Sequence, residues 1–165
     1  MRKGLELHLT GNIISKPYIH MTLQLMKAYG VEAQWQGNII IVRPGEYRPI
    51  PFKIESDWSA ASYWYEIAAL LPGSEFELDG LRKNSVQGDS KIAEYFFSLG
   101  ISTQYTNSGV KIKYNGNMCR KMVCDLTDQP DLAQTLIVTC ALKGIPFRFS
   151  GLQSLKIKET DRIEA

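Results

Sequence analysis

An internal repeat runs through the chain and limits the folds that are open to it. At offsets of 70 or 71 residues, serine, aspartate and glycine recur where the hydrophobic pattern predicts the ends of helices and strands. A period of this length is typical of a supersecondary unit used more than once, because one such unit cannot bury its apolar face alone. The matched pairs are Ser15 with Ser85, Gly30 with Gly100, Asp57 with Asp128, Gly73 with Gly144, and Gly80 with Gly151.

The hydrophobic spacing predicts the order βαβαββ in each unit, which places the chain in the α/β (α+β) class. We expect one complete unit at residues 49–118, flanked by the second half of a unit at 1–48 and the first half of another at 119–165. Strands are predicted at 5–9, 31–35, 38–42, 52–55, 75–78, 101–105, 110–114, 122–126 and 146–149, and helices at 17–30, 57–71, 89–100 and 128–142, with a last helix from Thr160.

Two aspartates are predicted to cap helices. Asp57 precedes the helix at 57–71, and Asp128 precedes another in which Pro130 takes an early, tolerated position. The first of these helices is expected to pack through its apolar side chains at helical spacing. That predicted face consists of Ala60, Ala61, Trp64, Ile67, Ala68 and Leu71.

Composition excludes several classes of protein. Of the 165 residues 44% are hydrophobic and 22% charged, an ordinary globular mixture, and no apolar run approaches the ~20 residues of a membrane span. The net charge of +2 gives no reason to expect nucleic acid as a partner. No Walker loop, GxGxxG, GxSxG or HExxH motif occurs. Cys119, Cys124 and Cys140 form no CxxC, so we expect reduced cysteines, no metal and a cytoplasmic location.

The chain stops at Ala165, inside a predicted helix, and the two outer units are incomplete. We therefore expect the sequence to be an internal fragment of a longer polypeptide. Incomplete units leave unpaired strand edges and apolar helix faces, and such surfaces promote association with another chain. The sequence thus predicts that the fragment self-associates.

The densest polar cluster extends from Lys156 to Arg162, with three cations and two carboxylates in seven residues. Lys158 and Arg162 are four residues apart, so a helical turn would bring them to one face, where they can bind a carboxylate or phosphate. Glu159 lies between them and can transfer a proton. The alternative is a solvated helix start in which these charges pair with one another.

Two further candidates lie elsewhere in the sequence. Ser15 and Tyr18 stand before and within the first turn of a predicted helix, where hydroxyl and backbone N–H groups can hold a phosphate or a sugar-like ring. The alternative there is simple capping. Asp131 is an additional acid at a helix start, since Ala60 takes the equivalent place in the repeat. It can bind substrate hydroxyls or accept a proton, and the alternative is stabilisation of the helix dipole.

Five motifs together resemble one known family. Lys158-Glu159-Thr160-Asp161-Arg162 is similar to the signature of the 5-enolpyruvylshikimate-3-phosphate synthase family, and the other four motifs follow the family's order and approximate spacing. The resemblance covers the chain from near residue 5 to its end. The other four are Ser15 to Ile19, Asp57 with Ser59, Ala60, Ser62 and Tyr63, Asn84 to Asp89, and Pro130-Asp131.

The resemblance implies an enolpyruvyl transferase. The family moves the enolpyruvyl group of phosphoenolpyruvate to the 5-hydroxyl of shikimate 3-phosphate, releases phosphate and needs no organic cofactor. Its two domains are each built from three βαβαββ units. The resemblance assigns residues before the linker at 43–51 to the domain that mainly binds shikimate 3-phosphate, and later residues to the other domain.

Carried over by position, the resemblance implies a role for each candidate on the side of shikimate 3-phosphate. Ser15 would contact its phosphate, and Tyr18 would lie against its ring. Asp131 would bind ring hydroxyls and accept a proton. Ser154 would also contact substrate, although several family members carry asparagine at that place, so the hydrogen bond would come from a shorter side chain.

The resemblance also implies roles on the side of phosphoenolpyruvate. Lys158 would lie at the reacting centre between the two substrates, and Arg162 would bind the phosphoenolpyruvate carboxylate. Glu159 would transfer the proton at the methylene carbon. The family's N-terminal and C-terminal cationic motifs do not occur in this sequence, so we expect the fragment alone to be inactive.

Two alternatives stay open at the level of the sequence. One is the related enolpyruvyl transferase that acts on UDP-N-acetylglucosamine. The other is a non-catalytic domain of the same fold that binds an anion or a partner protein. The motifs at residues 15–18 and 158–162 favour the shikimate enzyme over the first alternative. Against the second stands the joint presence of all the candidate catalytic and binding residues Ser15, Asp131, Lys158, Glu159 and Arg162.

Overall fold

A computed structural model describes residues 3–164 of the chain. The chain divides into two compact units, with the boundary between Lys53 and Ile54. Each unit has its own hydrophobic core. Both units combine helices with sheets, so the predicted mixed α/β character is confirmed.

The first unit consists of three short strands and one helix: β1 (Leu5–His8), α1 (Lys16–Ala28), β2 (Ala33–Gln36) and β3 (Ile39–Val42). The strands pair antiparallel in the order β1-β3-β2. Its small core is made by Val31, Ile40 and Val42. Helix α1 packs against this core through the apolar residues at helical spacing, Ile19, Leu23 and Met26.

The second unit contains two sheets. One has three antiparallel strands, and the other has two parallel strands joined by a helical crossover. The elements in chain order are α2 (Trp58–Leu70), β4 (Glu75–Asp79), a 3₁₀ turn (Gly88–Lys91), α3 (Ile92–Phe97), β5 (Ile101–Tyr105), β6 (Gly109–Tyr114), β7 (Met122–Asp125), a 3₁₀ turn (Pro130–Leu132), α4 (Ala133–Leu142), β8 (Phe147–Ser150) and a 3₁₀ turn (Gln153–Ile157).

The two antiparallel sheets share strand order and pairing. The second has the order β4-β6-β5, which corresponds to β1-β3-β2. In the first sheet Ala33 pairs with Val42, and in the second Thr103 pairs with Ile112, at an offset of 70 residues in both strands. The hairpin register is therefore the same in the two units.

Helices α2 and α4 pack together in the core of the second unit. Trp58 and Tyr65 are fully buried on α2, and the Tyr65 ring meets Phe96 edge-on at 5.6 Å between centroids. At the carboxyl ends of the two helices, Lys143 Nζ donates a hydrogen bond of 2.6 Å to the carbonyl of Ala69. Burial lowers the pKa of this lysine.

The predicted packing face of α2 is partly wrong. Ala61 and Ala68 are buried as expected, but Trp64, Ile67 and Leu71 have 45–54% of their surface exposed. The helix is apolar around most of its circumference, so hydrophobic spacing could not identify the buried side. The side chains that turn inward are Trp58, Ala61, Ser62, Tyr65, Ala68 and Ala69.

The predicted strand at 52–55 is not formed, so the region 49–118 begins with α2 and lacks the first strand of a βαβαββ unit. The bond between the backbones of this stretch and the neighbouring segment is made by Ser56 N–H, which donates to the carbonyl of Gly80 at 3.1 Å. Pro49 and Pro51 just upstream have no N–H to donate to a sheet. One backbone bond does not make a strand pair.

Two helix predictions also need correction. Asp128 does not cap a helix, because the chain first makes the 3₁₀ turn Pro130–Leu132 and α4 starts at Ala133 without a side-chain cap. No helix starts at Thr160. Instead, Asp161 Oδ1 accepts hydrogen bonds from the N–H groups of Ile163 and Glu164, so the capping residue is one position later and the described segment holds a turn.

Within residues 3–164, none of the helices combines the length and the apolar character that crossing a bilayer would need. The cytoplasmic location stays a prediction. In the same residues, His, Cys, Asp and Glu side chains nowhere gather in threes around a possible metal position. All three cysteines are free thiols, and burial raises the pKa of Cys140 to about 11.

Candidate active site

The start of α4 positions the aspartate at the centre of the candidate site. Strand β7 ends at Asp125, and the chain then turns so that Pro130 and Leu132 are buried. This anchors the 3₁₀ turn on both sides of Asp131, whose side chain keeps 20% of its surface exposed. Asp131 is thus held rigidly while its carboxylate stays accessible.

Two cations from a distant segment converge on Asp131. Lys158 Nζ lies 3.1 Å from Asp131 Oδ1 and 3.3 Å from Oδ2. Arg162 Nη1 lies 3.2 Å from Asp131 Oδ1. Lys158 is 30% exposed and Arg162 19% exposed, so all three side chains are screened from bulk water without being sealed from it.

Glu159 completes the cluster on the opposite side of the guanidinium. Arg162 Nη2 lies 2.5 Å from Glu159 Oε1, and Arg162 Nε lies 3.0 Å from the same oxygen. Its own backbone N–H and the bonds from Arg162 lower the pKa of Glu159. The bond to Glu159, together with the charges of Glu159 and Asp131, raises the pKa of Arg162.

The convergence of Lys158 and Arg162 is not produced by a helix. Lys158 has an extended backbone after the 3₁₀ turn Gln153–Ile157, and Arg162 N–H bonds to the carbonyl of Leu155 at 3.1 Å. The chain therefore folds back at 158–162, and both cations meet at Asp131. The four-residue spacing correctly predicted that Lys158 and Arg162 lie close together, but the helical turn from which this was predicted is not formed.

Ser154 lies in the turn just before this cluster. It is 7% exposed, and its hydroxyl oxygen has no hydrogen-bond partner among the described residues. A buried hydroxyl without a partner costs about 1–3 kcal/mol, so this group is suited to a hydrogen bond from a ligand or water.

Ser15 and Tyr18 lie in the first unit, at the start of α1. Ser15 has a left-handed backbone with φ of 54°, which no other non-glycine residue among 3–164 adopts, and its side chain makes no capping bond. Its repeat partner Ser85 is fully engaged, since its hydroxyl donates to Glu55 at 2.8 Å and accepts from Gln87 N–H at 3.0 Å. Of the two serines, Ser15 is the one not committed to capping or loop structure.

Sequence reasoning missed Glu55 and Tyr63. Glu55 accepts bonds from Trp58 Nε1 and Arg82 N–H, both at 2.9 Å, and from Ser85, so one carboxylate holds two loops together. Its partners at 82 and 85 are 27 and 30 residues away, and no local pattern reveals them. Tyr63 belongs to the motif that follows Asp57, but the sequence predicted no role for it; it is close enough to Arg162 to interact with it electrostatically.

The charged cluster is suited to anion chemistry. It holds two cations and two carboxylates, so it is neutral as a whole and partly open to water. Arginine binds a carboxylate or phosphate through its planar fork, and lysine contributes a point charge. An incoming anion can therefore bind here by replacing one of the internal carboxylates.

The fold and this cluster define a mixed α/β protein with a site of the kind that binds anions. The chain belongs to the EPSP synthase family, since the family model described as EPSP synthase (3-phosphoshikimate 1-carboxyvinyltransferase) matches residues 1–165.

Curated relatives agree with this membership. The chain is 57% identical over 166 aligned residues to a 3-phosphoshikimate 1-carboxyvinyltransferase of Bacteroides fragilis, with all of the chain and 40% of the relative covered. It is 34% identical to the protein of that name from Methanospirillum hungatei, covering 97% of the chain and 38% of the relative. It is 33% identical to the protein of the same name from Idiomarina loihiensis, covering 96% of the chain and 37% of the relative. The chain thus spans about two fifths of the length of these relatives.

Proposed function

We propose that the chain is part of an enzyme that transfers the enolpyruvyl group of phosphoenolpyruvate to the 5-hydroxyl of shikimate 3-phosphate. The observation that carries this proposal is the meeting of Lys158 and Arg162 at Asp131, across 27 and 31 residues of sequence. A carboxylate within reach of two cations is what a reaction between two anionic substrates needs at its centre. The names of the curated relatives support the same reaction.

In this proposal the cluster performs both binding and proton transfer. Arg162 binds the phosphoenolpyruvate carboxylate, and Lys158 lies between the two substrates. Asp131 accepts the proton of the attacking 5-hydroxyl as oxygen bonds to the enolpyruvyl carbon, and this proton is released again with the departing phosphate. Glu159 delivers a proton to the methylene carbon and removes one again when phosphate leaves, so the double bond is restored and no net proton is consumed there.

The remaining candidates would bind shikimate 3-phosphate. Ser15, with a side chain not used for capping, would contact the phosphate, and Tyr18 would lie against the ring. Ser154 would use its unpartnered buried hydroxyl for a substrate hydrogen bond. These roles need no organic cofactor and no metal.

We also propose the repeat-based organisation. Residues 1–48 would be the second half of a βαβαββ unit of the domain that binds shikimate 3-phosphate, 49–118 a unit of the other domain, and 119–165 the first half of its successor. The shared order and register of the two antiparallel sheets support this division.

Kinetics of two substitutions in the protein at the length of its relatives test the function. Glu159→Gln should lower kcat by about 10²–10⁴-fold, since it removes a general acid–base group. Arg162→Ala should raise KM for phosphoenolpyruvate by about 10- to 100-fold, as expected for a lost charged hydrogen bond. Its KM for shikimate 3-phosphate should change less.

Lys156→Ala is the matched control. Lys156 is an exposed cation in the same segment, and it takes no part in the ion pairs described above. This substitution should leave both constants within about twofold, as surface changes usually do. If phosphate release does not depend on shikimate 3-phosphate, the proposed reaction is wrong. If both substitutions give one kinetic pattern, the separate roles are wrong. The 165-residue chain alone should not turn over, since it spans about two fifths of its relatives.

The exposed apolar side chains of α2 and α4 support self-association of the chain. Trp64 and Ile67 on α2 and Leu142 on α4 are 45–68% exposed. Light scattering over a range of concentrations should show a dimer or larger species. The double substitution Trp64→Gln and Ile67→Gln should shift it towards monomer, while Met118→Gln, which removes an apolar side chain that is 54% exposed elsewhere, should not.

A further inference from the structure

The guanidinium of Arg162 is already occupied on two sides. Nη2 and Nε bind Glu159 Oε1 at 2.5 and 3.0 Å, and Nη1 binds Asp131 Oδ1 at 3.2 Å. These are the donors that a planar fork offers to a carboxylate. A substrate carboxylate can therefore form two parallel bonds at the edge made by Nε and Nη2 only if Glu159 leaves, and can take over the bond of Nη1 only if Asp131 leaves.

Exposure decides which carboxylate leaves. Glu159 keeps 66% of its side chain in water, so its release costs little desolvation and little packing. Asp131 is 20% exposed and also binds Lys158, so its release would take from Lys158, a partly shielded cation, the carboxylate that it pairs with. Arg162 itself is 19% exposed and must keep a carboxylate at its open side.

We propose that Glu159 is an internal substitute for the substrate carboxylate: it neutralises Arg162 in the ligand-free protein, and an incoming carboxylate exchanges with it. This rests on the proposed function for the identity of the ligand, phosphoenolpyruvate. The exchange forms one ion pair and breaks one, so the charge at Arg162 stays balanced throughout. Asp131 and Lys158 remain paired during the exchange.

The exchange couples substrate binding to proton transfer. While Glu159 is bound to Arg162, that bond and its own N–H hold its carboxylate in the ionised form. After the exchange, the bond to Arg162 is gone, and Lys158 still acts on Glu159 through its positive charge. Glu159 is then free to take up and deliver a proton, and this occurs only when a carboxylate occupies Arg162.

The exchange makes an unusual prediction for binding. Glu159→Gln removes the internal competitor, so phosphoenolpyruvate should bind about two- to fivefold more tightly, the factor expected for a lost exposed ion pair. Turnover falls at the same time. Asp161→Asn is the matched control: it removes one negative charge two residues away, and its amide oxygen can still accept the bonds from Ile163 and Glu164. It should change affinity by less than the Glu159 variant.

Two measurements on the protein at the length of its relatives decide the matter. Calorimetry gives the affinity for phosphoenolpyruvate in the presence of an analogue of shikimate 3-phosphate that lacks the 5-hydroxyl, so that no turnover occurs. The ¹⁵N–¹H signal of Arg162 Nε reports its partner directly, first without ligand and then with acetate as a simple carboxylate. In the wild type, acetate should move this signal in a saturable way. In Glu159→Gln the ligand-free signal should differ from wild type, and acetate should saturate at lower concentration.

Equal or weaker affinity of Glu159→Gln for acetate would overturn the inference, as would an Asp161→Asn variant with the same gain. A wild-type protein that responds to acetate but does not bind phosphoenolpyruvate would support the exchange and overturn the proposed function. A wild-type Arg162 signal that ignores acetate while phosphoenolpyruvate binds normally would overturn the exchange alone.

Discussion

In the proposed repeat the starts of α2 and α4 correspond to each other, but the two use their polar residues differently. At α2, Asp57 accepts bonds from the N–H groups of Ser59 and Ala60, at 2.8 and 3.3 Å. At α4, the aspartate of matching position, Asp128, caps nothing, and the acid one turn later, Asp131, binds two cations. Bonds from backbone N–H groups to a carboxylate define the first site, and ion pairs between side chains define the second.

The difference lies in what the polar side chains at each helix start do: at one they fix loops, and at the other they can bind a ligand. At the start of α2, Gln87 bonds to fixed internal partners: it accepts from Trp58 N–H at 2.9 Å and donates to the Ser56 carbonyl at 2.8 Å. Such bonds fix loops and leave little for a ligand. Around α4 the partners are charged and partly exposed, so water or another anion can replace them at modest cost.

The largest expected effect is on activity. Asp131→Asn should lower kcat/KM by about 10²–10⁴-fold, because it removes the proposed proton acceptor and the shared partner of both cations. Asp57→Asn should leave activity within about twofold, since asparagine caps helices as well as aspartate does. Phosphate release by the protein at the length of its relatives measures both. Comparable losses would mean that the two helix starts do not differ in function.

The second effect concerns the glycines that face the two helix starts, Gly80 and Gly151. Both have φ near +80°, and an added Cβ at Gly151 would strike backbone N and side-chain oxygen of Thr127, whereas at Gly80 it would strike chiefly the movable Oγ of Ser56. Gly151→Ala should reduce the free energy of unfolding by about 2–5 kcal/mol, and Gly80→Ala by about 1–3 kcal/mol. Denaturant unfolding measures both.

A rescue experiment makes the glycine comparison sharper. Ser56→Ala removes the hydroxyl that an alanine at position 80 would strike, so it should recover part of the loss caused by Gly80→Ala. No side-chain truncation can recover Gly151→Ala to the same extent, because a backbone nitrogen remains in the way. Equal costs for the two glycine variants would contradict this account.

The third effect is the value of the cap. Asp57→Ala should lower the free energy of unfolding by about 0.5–2 kcal/mol, because two N–H groups of α2 lose their acceptor. Asp128→Ala should change it by less than about 0.5 kcal/mol, as is usual for a surface site without a cap. A similar loss in both variants would show that Asp128 caps α4 in solution.

The smallest effect is a titration. The pKa of Glu159 lies below its ordinary range, first through its own N–H and then through Arg162, so the ionised form favours the folded state. That contribution is present above the unfolded pKa and is lost as the pH falls through the folded one. In ¹³C spectra, Arg162→Gln should raise the titration midpoint of Glu159 part of the way to the ordinary pKa of a glutamate, because the bond from its own N–H remains. An unchanged midpoint would exclude the ion pair.

Local chemistry explains what the sequence predicted well. The Asp57 cap and the core-facing residues of α1 follow from residues within one or two turns of each other. The family resemblance implied that Lys158 and Asp131 serve one site, which no local pattern could show because 27 residues separate the two side chains. That both side chains belong to one site could be predicted, but that they pair directly with each other could not.

The errors have long-range causes. Trp64 was assigned to the core because α2 is apolar on most sides, and only the position of neighbouring elements decides which side is buried. Residues 52–55 are suitable for a strand, but no strand forms there. The backbone bond to the expected neighbour comes from Ser56, just after this stretch. Asp128 has the chemistry of a cap, but the 3₁₀ turn at Pro130–Leu132 moves the start of α4 away from it.

The contact between Lys143 and the Ala69 carbonyl also has a consequence for synthesis on the ribosome. The two residues are 74 positions apart, so α2 leaves the ribosome long before α4 exists. At about 5–20 residues per second, the inward side of α2 waits roughly 4–15 s for its partner. During that interval Trp58 and Tyr65 lack part of the surface that later covers them. We therefore expect nascent chains stalled before residue 133 to bind chaperones. Chains stalled well after residue 143 should no longer bind them.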